Sequence, residues 1–303
     1  MNLTFLETFI WAARLKSFTL AADRMNATQA AVSARIATLE RELGVKLFHR
    51  EPREVRLTPE GVFALERAEG LVRAAQDFIN DIGAKERLRG TVRIGVIDTI
   101  SHSWLIDLIR RSKTLYPQVN IELTADTSLR LTDLLLANEI DVALIMGPVR
   151  AADVVNIDLC TYTCVWTASP ELNLHGRQLD VDDLAAFPII SFPKGSQPHE
   201  ALRHYFHRHL EAGTVLYATN SLATIMRMTI DGIGVAAIPP PVMRRELARG
   251  ELVPLDVRQP FPPLSFQAVY IDSPTFVLPG AIAHLAREVA RAFCNRSDPS
   301  EAW

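Results

Sequence analysis

Apolar residues in the first 58 positions recur every three or four residues, which predicts three short amphipathic helices. Thr28 is well placed as the N-cap of the third helix, and Gly44 follows where a C-terminal glycine is expected. Small alanines in the second helix would let the third cross it closely. The three stripes are Leu3, Leu6, Phe9, Ile10 and Ala13; Phe18, Ala21, Ala22 and Met25; and Val32, Ile36, Leu39 and Leu43.

The other face of the third predicted helix is polar. Its first residues, Thr28, Gln29 and Ser33, suit base edges and phosphate oxygens, and Arg35 lies farther along the same face. A helix, a turn and a second helix with a polar outer face are typical of a device that places one helix in the DNA major groove. The alternative is a small helical subdomain whose polar face is only solvated.

A basic hairpin is predicted next, with short strands at Val45–Arg50 and Val55–Thr58. Arg50, Arg53 and Arg56 lie on or beside it and would bind phosphate or reach into a minor groove. Residues 14–56 hold nine Lys or Arg against five Asp or Glu, a balance of +4, although the whole chain has a net charge of −3. Positive charge is therefore concentrated where DNA would lie, which favours a winged helix-turn-helix.

A long helix is predicted from Pro59 to about Arg87, with Thr58 as its N-cap. Its apolar residues form a seam that we expect to pair with a second copy of the chain. The alternative is that the seam packs on its own domain. Residues 85–90 are predicted to be a hinge. The seam consists of Val62, Leu65, Ala68, Val72, Ala75, Ile79 and Ile82.

From residue 90 onward, short β-rich runs alternate with helical patterns, which predicts an α/β domain with mostly parallel sheets. Ligands bind such sheets beyond the carboxyl ends of the strands, where helix N-termini offer N–H groups. Four loops of that kind predict a cleft for a small ligand, although each could be an ordinary helix cap. Their polar residues are Asp98, Thr99 and Ser101; Thr127 and Ser128; Lys194, Ser196 and Gln197; and Asn220 and Ser221.

These residues alone do not decide the chemical class of the ligand. Hydroxyls, amides and a lysine suit an anion, whereas the carboxylate of Asp98 would favour a cationic or hydroxylated ligand. Cys160 and Cys164 would point to the same side of a strand, as buried small side chains or as a redox switch.

Composition narrows the class of protein. A chain of 303 residues can hold two domains, and 48% hydrophobic with 22% charged residues is ordinary for a globular protein. There is no signal-peptide pattern and no run of about 18 apolar residues, so we expect a cytoplasmic protein without membrane contact. Three cysteines do not form a disulfide framework. No catalytic, metal-binding or cofactor-binding motif is found, and we expect neither an enzyme nor a cofactor.

At this point the chain resembles the LysR-type transcriptional regulators over essentially its full length. The resemblance rests on AADRMNATQAAVSARIATLERELGVKLFHR (21–50) and VRLTPEG (55–61), which are very specific. Weaker motifs follow in the order typical of the family, namely VRIGVIDT (92–99), LYP (115–117), EIDVALI (139–145), FPKGS (192–196) and GIGVAAIP (232–239).

The resemblance implies that DNA is contacted from Thr28 onward, through Gln29, Ser33 and wing residues near Arg50, Arg53 and Arg56. The family usually has proline at the position of Ala30, which could change how the helix N-terminus sits on DNA. It also implies a two-lobed effector domain like a periplasmic binding protein, with strands crossing near residues 160 and 267. Residues implied to line its cleft are Thr99, Ser128, Pro148 and Phe192.

We therefore predict a regulator that binds promoter DNA as an oligomer and responds to a small effector, with an organic acid or an aromatic compound as the expected class. The predicted order is a winged helix-turn-helix (1–58), a linker helix and hinge (59–89) and an effector domain (90–303). Its first lobe is expected at about 90–160 and 268–303, and its second at about 161–267. A homotetramer is implied by the resemblance, and only the dimer seam is visible in the residues. A solute-binding receptor is the alternative, and an enzyme with an accessory head is a third class.

Overall fold

A computed structural model describes residues 2–25, 27–49, 55–82, 88–151, 153–207, 214–273 and 276–303. Within the fourth helix it describes the backbone, but not the side chains, of residues 73 and 76–82. The chain divides into two compact units. The head unit is Met1–Arg87 with Ser273–Val277, and the sheet unit is Leu88–Asp272 with Leu278–Trp303.

The head unit begins with the three predicted helices: α1 (Leu3–Leu15), α2 (Phe18–Arg24) and α3 (Gln29–Leu43). Each has the cap that its local sequence favours. The side chains of Asn2, Ser17 and Thr28 accept hydrogen bonds from the first turns, and Gly44 ends α3 with a φ of 73°. The apolar stripes meet in one core, whose fully buried members include Phe9, Ile10, Val32, Leu39 and Leu47. Leu3 and Leu43, predicted at the ends of two stripes, are instead exposed.

The hairpin after α3 is shorter than predicted within the described residues. Phe48 and Leu57 form one antiparallel bridge. Hydrogen bonds from Thr58 N to Leu47 O (3.0 Å) and from His49 N to Arg56 O (2.9 Å) flank it. The prediction that Thr58 caps the long helix is confirmed, because its Oγ1 accepts from Gly61 N at 2.9 Å.

The long helix α4 (Pro59–Ile82) corrects the predicted dimer seam. Ala68 and Val72 are buried in the head core, and Leu65 packs against it. This part of the seam therefore packs on its own domain, which was the alternative prediction. The side chains of Ile79 and Ile82 lie outside the described residues.

The sheet unit confirms the predicted alternation of strands and helices. Its strands are β1 (Arg89–Val96), β2 (Gln118–Ala125), β3 (Val142–Met146), β4 (Val154–Ala168), β5 (Gln178–Leu179), β6 (Ile189–Ser191), β7 (Leu216–Ala218), β8 (Val235–Ile238), β9 (Val253–Pro254), β10 (Asp256–Val257) and β11 (Phe261–Ile271). Its helices are α5 (Asp98–Ser101), α6 (Leu105–Leu115), α7 (Ser128–Leu136), α8 (Val181–Ala185), α9 (Gln197–Tyr205), α10 (Leu222–Ile230), α11 (Arg244–Ala248) and α12 (Leu278–Cys294).

One curled sheet connects two lobes in the order β2-β1-β3-β11-β4-β8-β6-β7, with β9 beside β4. In the first lobe β1 pairs in parallel with β2 and β3, and in the second β6 pairs in parallel with β7 and β8. β4 and β11 are the long antiparallel strands between the lobes. β4 pairs with β11 up to Cys164 and with β8 from Val165, which is close to where the crossing near residue 160 was expected.

The predicted fold class, with a helix-turn-helix head and a two-lobed α/β domain, is therefore confirmed. The residue limits of the predicted domains and lobes stay predictions. Within the described ranges, none of the helices combines the length and hydropathy that a membrane span requires.

Candidate functional site

The first turn of α3 presents the predicted polar face to solvent. Thr28 Oγ1 accepts from Ala31 N at 3.2 Å, which fixes the start of the helix. Thr28, Gln29, Ala30 and Ser33 are all exposed. The side chains of Gln29 and Ser33 make no hydrogen bond to another described residue. Their donors and acceptors are thus available to a partner, and the helix beneath them is held by the head core.

Arg35 is placed differently from its predicted neighbours. It is half-buried, and its Nη1 donates to Thr8 Oγ1 of α1 at a long 3.5 Å. It also lies near Glu7, where burial raises the pKa of the carboxyl and the Arg35 charge opposes that rise. Arg35 therefore joins α3 to α1 and does not extend the exposed polar face.

The wing is anchored to α3 by Glu40, a residue that sequence reasoning missed. Only 9% of Glu40 is exposed, and its Oε1 accepts from Leu47 N (2.9 Å) and Phe48 N (3.4 Å). Lys46 Nζ donates to its other oxygen. Burial alone would raise the pKa of Glu40, but these three donors outweigh it and lower the pKa below 4.5. The sequence did not indicate that Glu40 is buried, because a charged residue in a helix is normally expected to face solvent.

Of the three wing arginines, only Arg56 can be placed. It is exposed, and its carbonyl accepts the hydrogen bond from His49 N. Arg50 and Arg53 lie outside the described residues.

The sheet unit brings the predicted cleft residues of the first lobe to one edge, at the carboxyl ends of β1 and β3. Thr99 is buried in α5, and Ser101 Oγ donates to Ile97 O at 3.2 Å. Ser128, at the start of α7, accepts from Met146 N at 3.1 Å. Pro148 follows β3 after a cis peptide bond and is exposed.

The second lobe contributes the carboxyl ends of β6 and β7. Phe192 is half-buried, and its carbonyl is hydrogen-bonded to His199 Nδ1 at 3.1 Å. Gln197 and Asn220 are exposed at the starts of α9 and α10. A small cavity of about 10 Å³ beneath Phe192 is closed around Cys164. It is too small for an effector.

The two edges touch through Asp98. Its Oδ2 accepts from Leu222 N, the first residue of α10, at 3.0 Å. The carboxylate of one lobe thus caps a helix N-terminus of the other, where the helix dipole favours negative charge. A side-chain carbon at Gly195 would also meet Leu129 Cδ2 at 3.9 Å, so the lobes approach closely at a second point.

Gln267 on β11 is a second residue that the sequence did not point to. Its Nε2 donates to Asp158 Oδ1 at 2.8 Å, while its buried Oε1 has no partner among the described residues. A side-chain carbon at Gly147 would lie 2.3 Å from that oxygen, so only glycine fits beside it. This contact depends on strand register, which no local pattern reveals.

The head unit also carries an open apolar groove of about 630 Å³ along α4. Four large apolar residues that line it, Leu43, Val45, Phe63 and Leu71, are between 39% and 62% exposed. Apolar side chains this exposed, side by side along one groove, mark an interaction surface.

Comparisons with known proteins match both units. A family model described as "Bacterial regulatory helix-turn-helix protein, lysR family" matches residues 3–62, and one described as "LysR substrate binding domain" matches residues 85–290. The transcriptional regulator CfxR of Cupriavidus necator is 29% identical over 85% of this chain and 81% of its own length. PtxR of Pseudomonas aeruginosa is 30% identical over 84% of this chain and 82% of its own length.

Among solved structures, a full-length OxyR variant from Pseudomonas aeruginosa is similar with a TM-score of 0.62 and 25% identity. The match covers 96% of this chain and 95% of that one.

Proposed function

This chain belongs to the LysR family of bacterial helix-turn-helix regulators, and we propose from that premise which of its residues read DNA and which sense an effector. It is a DNA-binding transcriptional regulator with an effector-binding domain, and its relatives are named as regulators, not as enzymes. We propose that it acts in the cytoplasm, because promoter DNA is its binding partner.

The DNA-reading surface is the first turn of α3, with Thr28, Gln29, Ala30 and Ser33, together with the wing arginines. The observation that carries this proposal is the exposed polar face on a helix whose other side is fixed in the core. Amide and hydroxyl side chains on such a face can pair with base edges. Arg56 lies on the wing, and Arg50 and Arg53 are assigned by sequence alone. Arg35 is set aside because it is turned toward α1.

The test begins by footprinting the full-length protein on fragments of its source DNA, to find an operator. Gln29→Ala should then weaken binding to that operator by about 10- to 100-fold, since one lost bidentate base contact costs about 1–3 kcal/mol. Binding to unrelated DNA should not change, because phosphate contacts remain. Gln178→Ala, an exposed glutamine in the sheet unit, is the matched control. Equal operator affinity in Gln29→Ala and the control would refute this helix face.

The effector site is the cleft between the two lobes, with Asp98, Thr99, Ser101, Ser128, Pro148, Phe192, Gln197 and Asn220. Hydroxyls, amides and helix starts at both edges, beside the ring of Phe192, suit a small organic acid or an aromatic compound. A thermal-shift screen of such compounds on the full chain tests this. If carboxylates and aromatic acids all leave the melting temperature unchanged, the proposed ligand class is wrong.

A second copy of the chain is the proposed occupant of the apolar groove along α4. Support comes from the exposed row of Phe63 and Leu71 beside Leu43 and Val45. Such a surface is costly to leave in water, and pairing two grooves would bury both. Sedimentation equilibrium should give a dimer or, as family resemblance suggests, a tetramer. A monomer at micromolar concentration would exclude this occupant.

A further inference from the structure

The segment that follows α12 adds a short extra strand to β4. Tyr162 and Ala302 form an antiparallel bridge. Beside it, Thr161 N donates to Trp303 O at 2.7 Å, and Trp303 N donates back to Thr161 O at 3.1 Å. Thr161 and Tyr162 are also paired with β11, so this segment lies along the opposite edge of β4. We call residues 297–303 the strap.

The contact between the strap and β4 is close and partly buried. Thr163 N donates to Glu301 O at 2.9 Å, and the Thr163 hydroxyl donates to Ser300 O at 2.7 Å. Ala302, between the bonded residues of the strap, is buried. A buried backbone needs hydrogen-bond partners, and β4 supplies them to the strap. The strap is therefore held in place as part of the sheet.

The strap binds β4 immediately before that strand passes from one lobe to the other. β4 pairs with β11 up to Cys164 and with β8 from Val165. At the same level the ladder between β4 and β11 is irregular, with a register shift between Phe261 and Leu264. Strands bend most easily where their pairing is irregular. A change in the angle between the lobes would therefore be taken up close to the strap.

Arg244, the first residue of α11, connects the second lobe to the strap. Its Nη2 donates to Ser297 Oγ at 2.8 Å and lies 3.8 Å from Glu301 Oε2. Its guanidinium also lies over the ring of Phe293, 5.6 Å from the centroid, which is a cation–π contact. α11 follows β8 of the second lobe, whereas the three groups that Arg244 contacts belong to α12 or to the strap.

The last turns of α12 are tied to the first lobe. Arg296 Nη2 donates to Asp107 Oδ2 at 2.9 Å, and Arg111 Nη2 donates to Glu288 Oε2 at 3.3 Å. Asp107 and Arg111 lie on α6, between β1 and β2 of the first lobe. Arg244 thus joins the second lobe to a part of the chain that is attached to the first lobe and to β4.

We propose that the strap and Arg244 hold the two lobes at the angle at which Asp98 bonds Leu222 N, so that an effector which changes this angle must work against them. Both interlobe contacts are made in the same arrangement. Losing one contact therefore lowers the population of the arrangement in which the other is made. This role of the strap rests on the proposed effector cleft, with which the strap and Arg244 share no residue.

The test measures hydrogen exchange by mass spectrometry on the full-length protein, without any effector. Arg244→Ala should make exchange at Leu222, at the start of α10, about two- to fivefold faster, which is the effect expected from losing a partly exposed charged contact. Exchange at Thr161 should also become faster, because the strap loses its side-chain anchor. Arg245→Ala is the matched control, since Arg245 is the next residue of α11 and is exposed.

A second variant loosens the strap without changing Arg244. Trp303→Pro removes the N–H that donates to Thr161 O, because proline has no backbone N–H. Exchange at Thr161 and at Leu222 should both become faster than in wild type. Trp303→Ala is the matched control, because it keeps the backbone N–H and removes only an exposed ring. It should exchange as wild type does at both positions.

Faster exchange at Leu222 in both Arg244→Ala and Trp303→Pro, with both controls unchanged, supports the strap as an interlobe restraint. The proposal is overturned if either variant leaves Leu222 at the rate of its control, even where Thr161 exchanges faster. The strap would then only cover an edge of β4. Because no effector is present, a failed compound screen would refute the proposed ligand class and leave this result unchanged.

Discussion

The polar face of α3 and the cleft of the sheet unit use similar side chains in opposite ways. On α3, Gln29 and Ser33 point to solvent without a hydrogen bond to any described residue. In the cleft, Asp98, Ser101 and Ser128 already donate to or accept from backbone groups nearby or on the other lobe. The α3 face is open to solvent, whereas these groups of the cleft edges are already bonded within the protein.

The difference fits the roles that we propose for the two sites. A DNA-reading face gains from donors and acceptors that are not bound to other protein groups, because a bond to a base then replaces only bonds to water. An effector site that reports occupancy must have two arrangements of different affinity, and internal bonds that a ligand can replace provide one of them. Substitutions at three positions test this contrast, from the largest expected effect to the smallest.

Glu40→Ala tests whether the buried carboxylate of Glu40 stabilises the head unit that presents the α3 face. The substitution leaves the buried N–H groups of Leu47 and Phe48 without an acceptor. We expect a loss of about 2–4 kcal/mol in the free energy of unfolding of the head unit. Lys46 is half-exposed and adds little to this figure. Calorimetry of the full chain measures the loss, and Glu66→Ala, an exposed glutamate of α4, is the control. A melting profile equal to that of the control would contradict the anchoring role.

The same carboxylate predicts a pH dependence. The pKa of Glu40 is lower in the folded protein than its ordinary value of 4.5. Its contribution is therefore complete above about pH 4.5 and is lost as the pH falls through the folded value. Urea unfolding between pH 6 and 3 should show a steeper decline in wild type than in Glu40→Gln, and parallel declines would speak against it.

Asp98→Ala tests whether the cleft is closed by its own carboxylate. Without Asp98, Leu222 N loses a charge-assisted acceptor, and its hydrogen exchange should become about tenfold faster. Exchange measured by mass spectrometry should change at the start of α10 and remain as in wild type in α3. Asp126→Ala, an exposed carboxylate in the neighbouring loop, is the matched control. Unchanged protection of Leu222 would show that this bond does not join the lobes in solution.

Arg56→Ala tests the electrostatic contribution of the wing and should have the smallest effect. Losing one phosphate contact should reduce the slope of log affinity against log salt by about 0.9 and weaken binding a few-fold at moderate salt. Fluorescence anisotropy over a salt series measures both. Arg258→Ala, exposed in the sheet unit, should keep the wild-type slope. The same slope in both variants would remove Arg56 from the contacts.

Much of the head unit could be predicted because its signals are local. Caps at Thr28, Thr58 and Gly44 and the apolar period of α1 to α3 act within a few residues. The structure confirms the caps and most of the stripes, but Leu3 and Leu43 at the stripe ends are exposed. The predicted contacts were wrong where a side chain packs against a different element of the head unit. Arg35 lies on the polar side of a helix by period, yet it contacts α1, and Ala68 and Val72 pack on the head core.

Residues of the sheet unit were correctly assigned to strand ends, but their contacts could not be predicted. Asp98 and Leu222 are 124 positions apart, and their bond exists because β4 and β11 bring two lobes together. The bond between Gln267 and Asp158 depends on the register of β11 against β4. Each of these contacts needs the whole sheet to form first.

The sequence by itself determined the elements, the polar face of α3, the fold class and the family, because caps, periodicity and motifs are encoded in neighbouring residues. Only the tertiary structure decided which of those polar residues are already engaged. Hydrogen bonds such as Asp98 to Leu222 and Glu40 to Leu47 are made between segments that backbone topology places within about 3 Å of each other. The periodicity of apolar residues along the chain does not reveal which distant segments come this close.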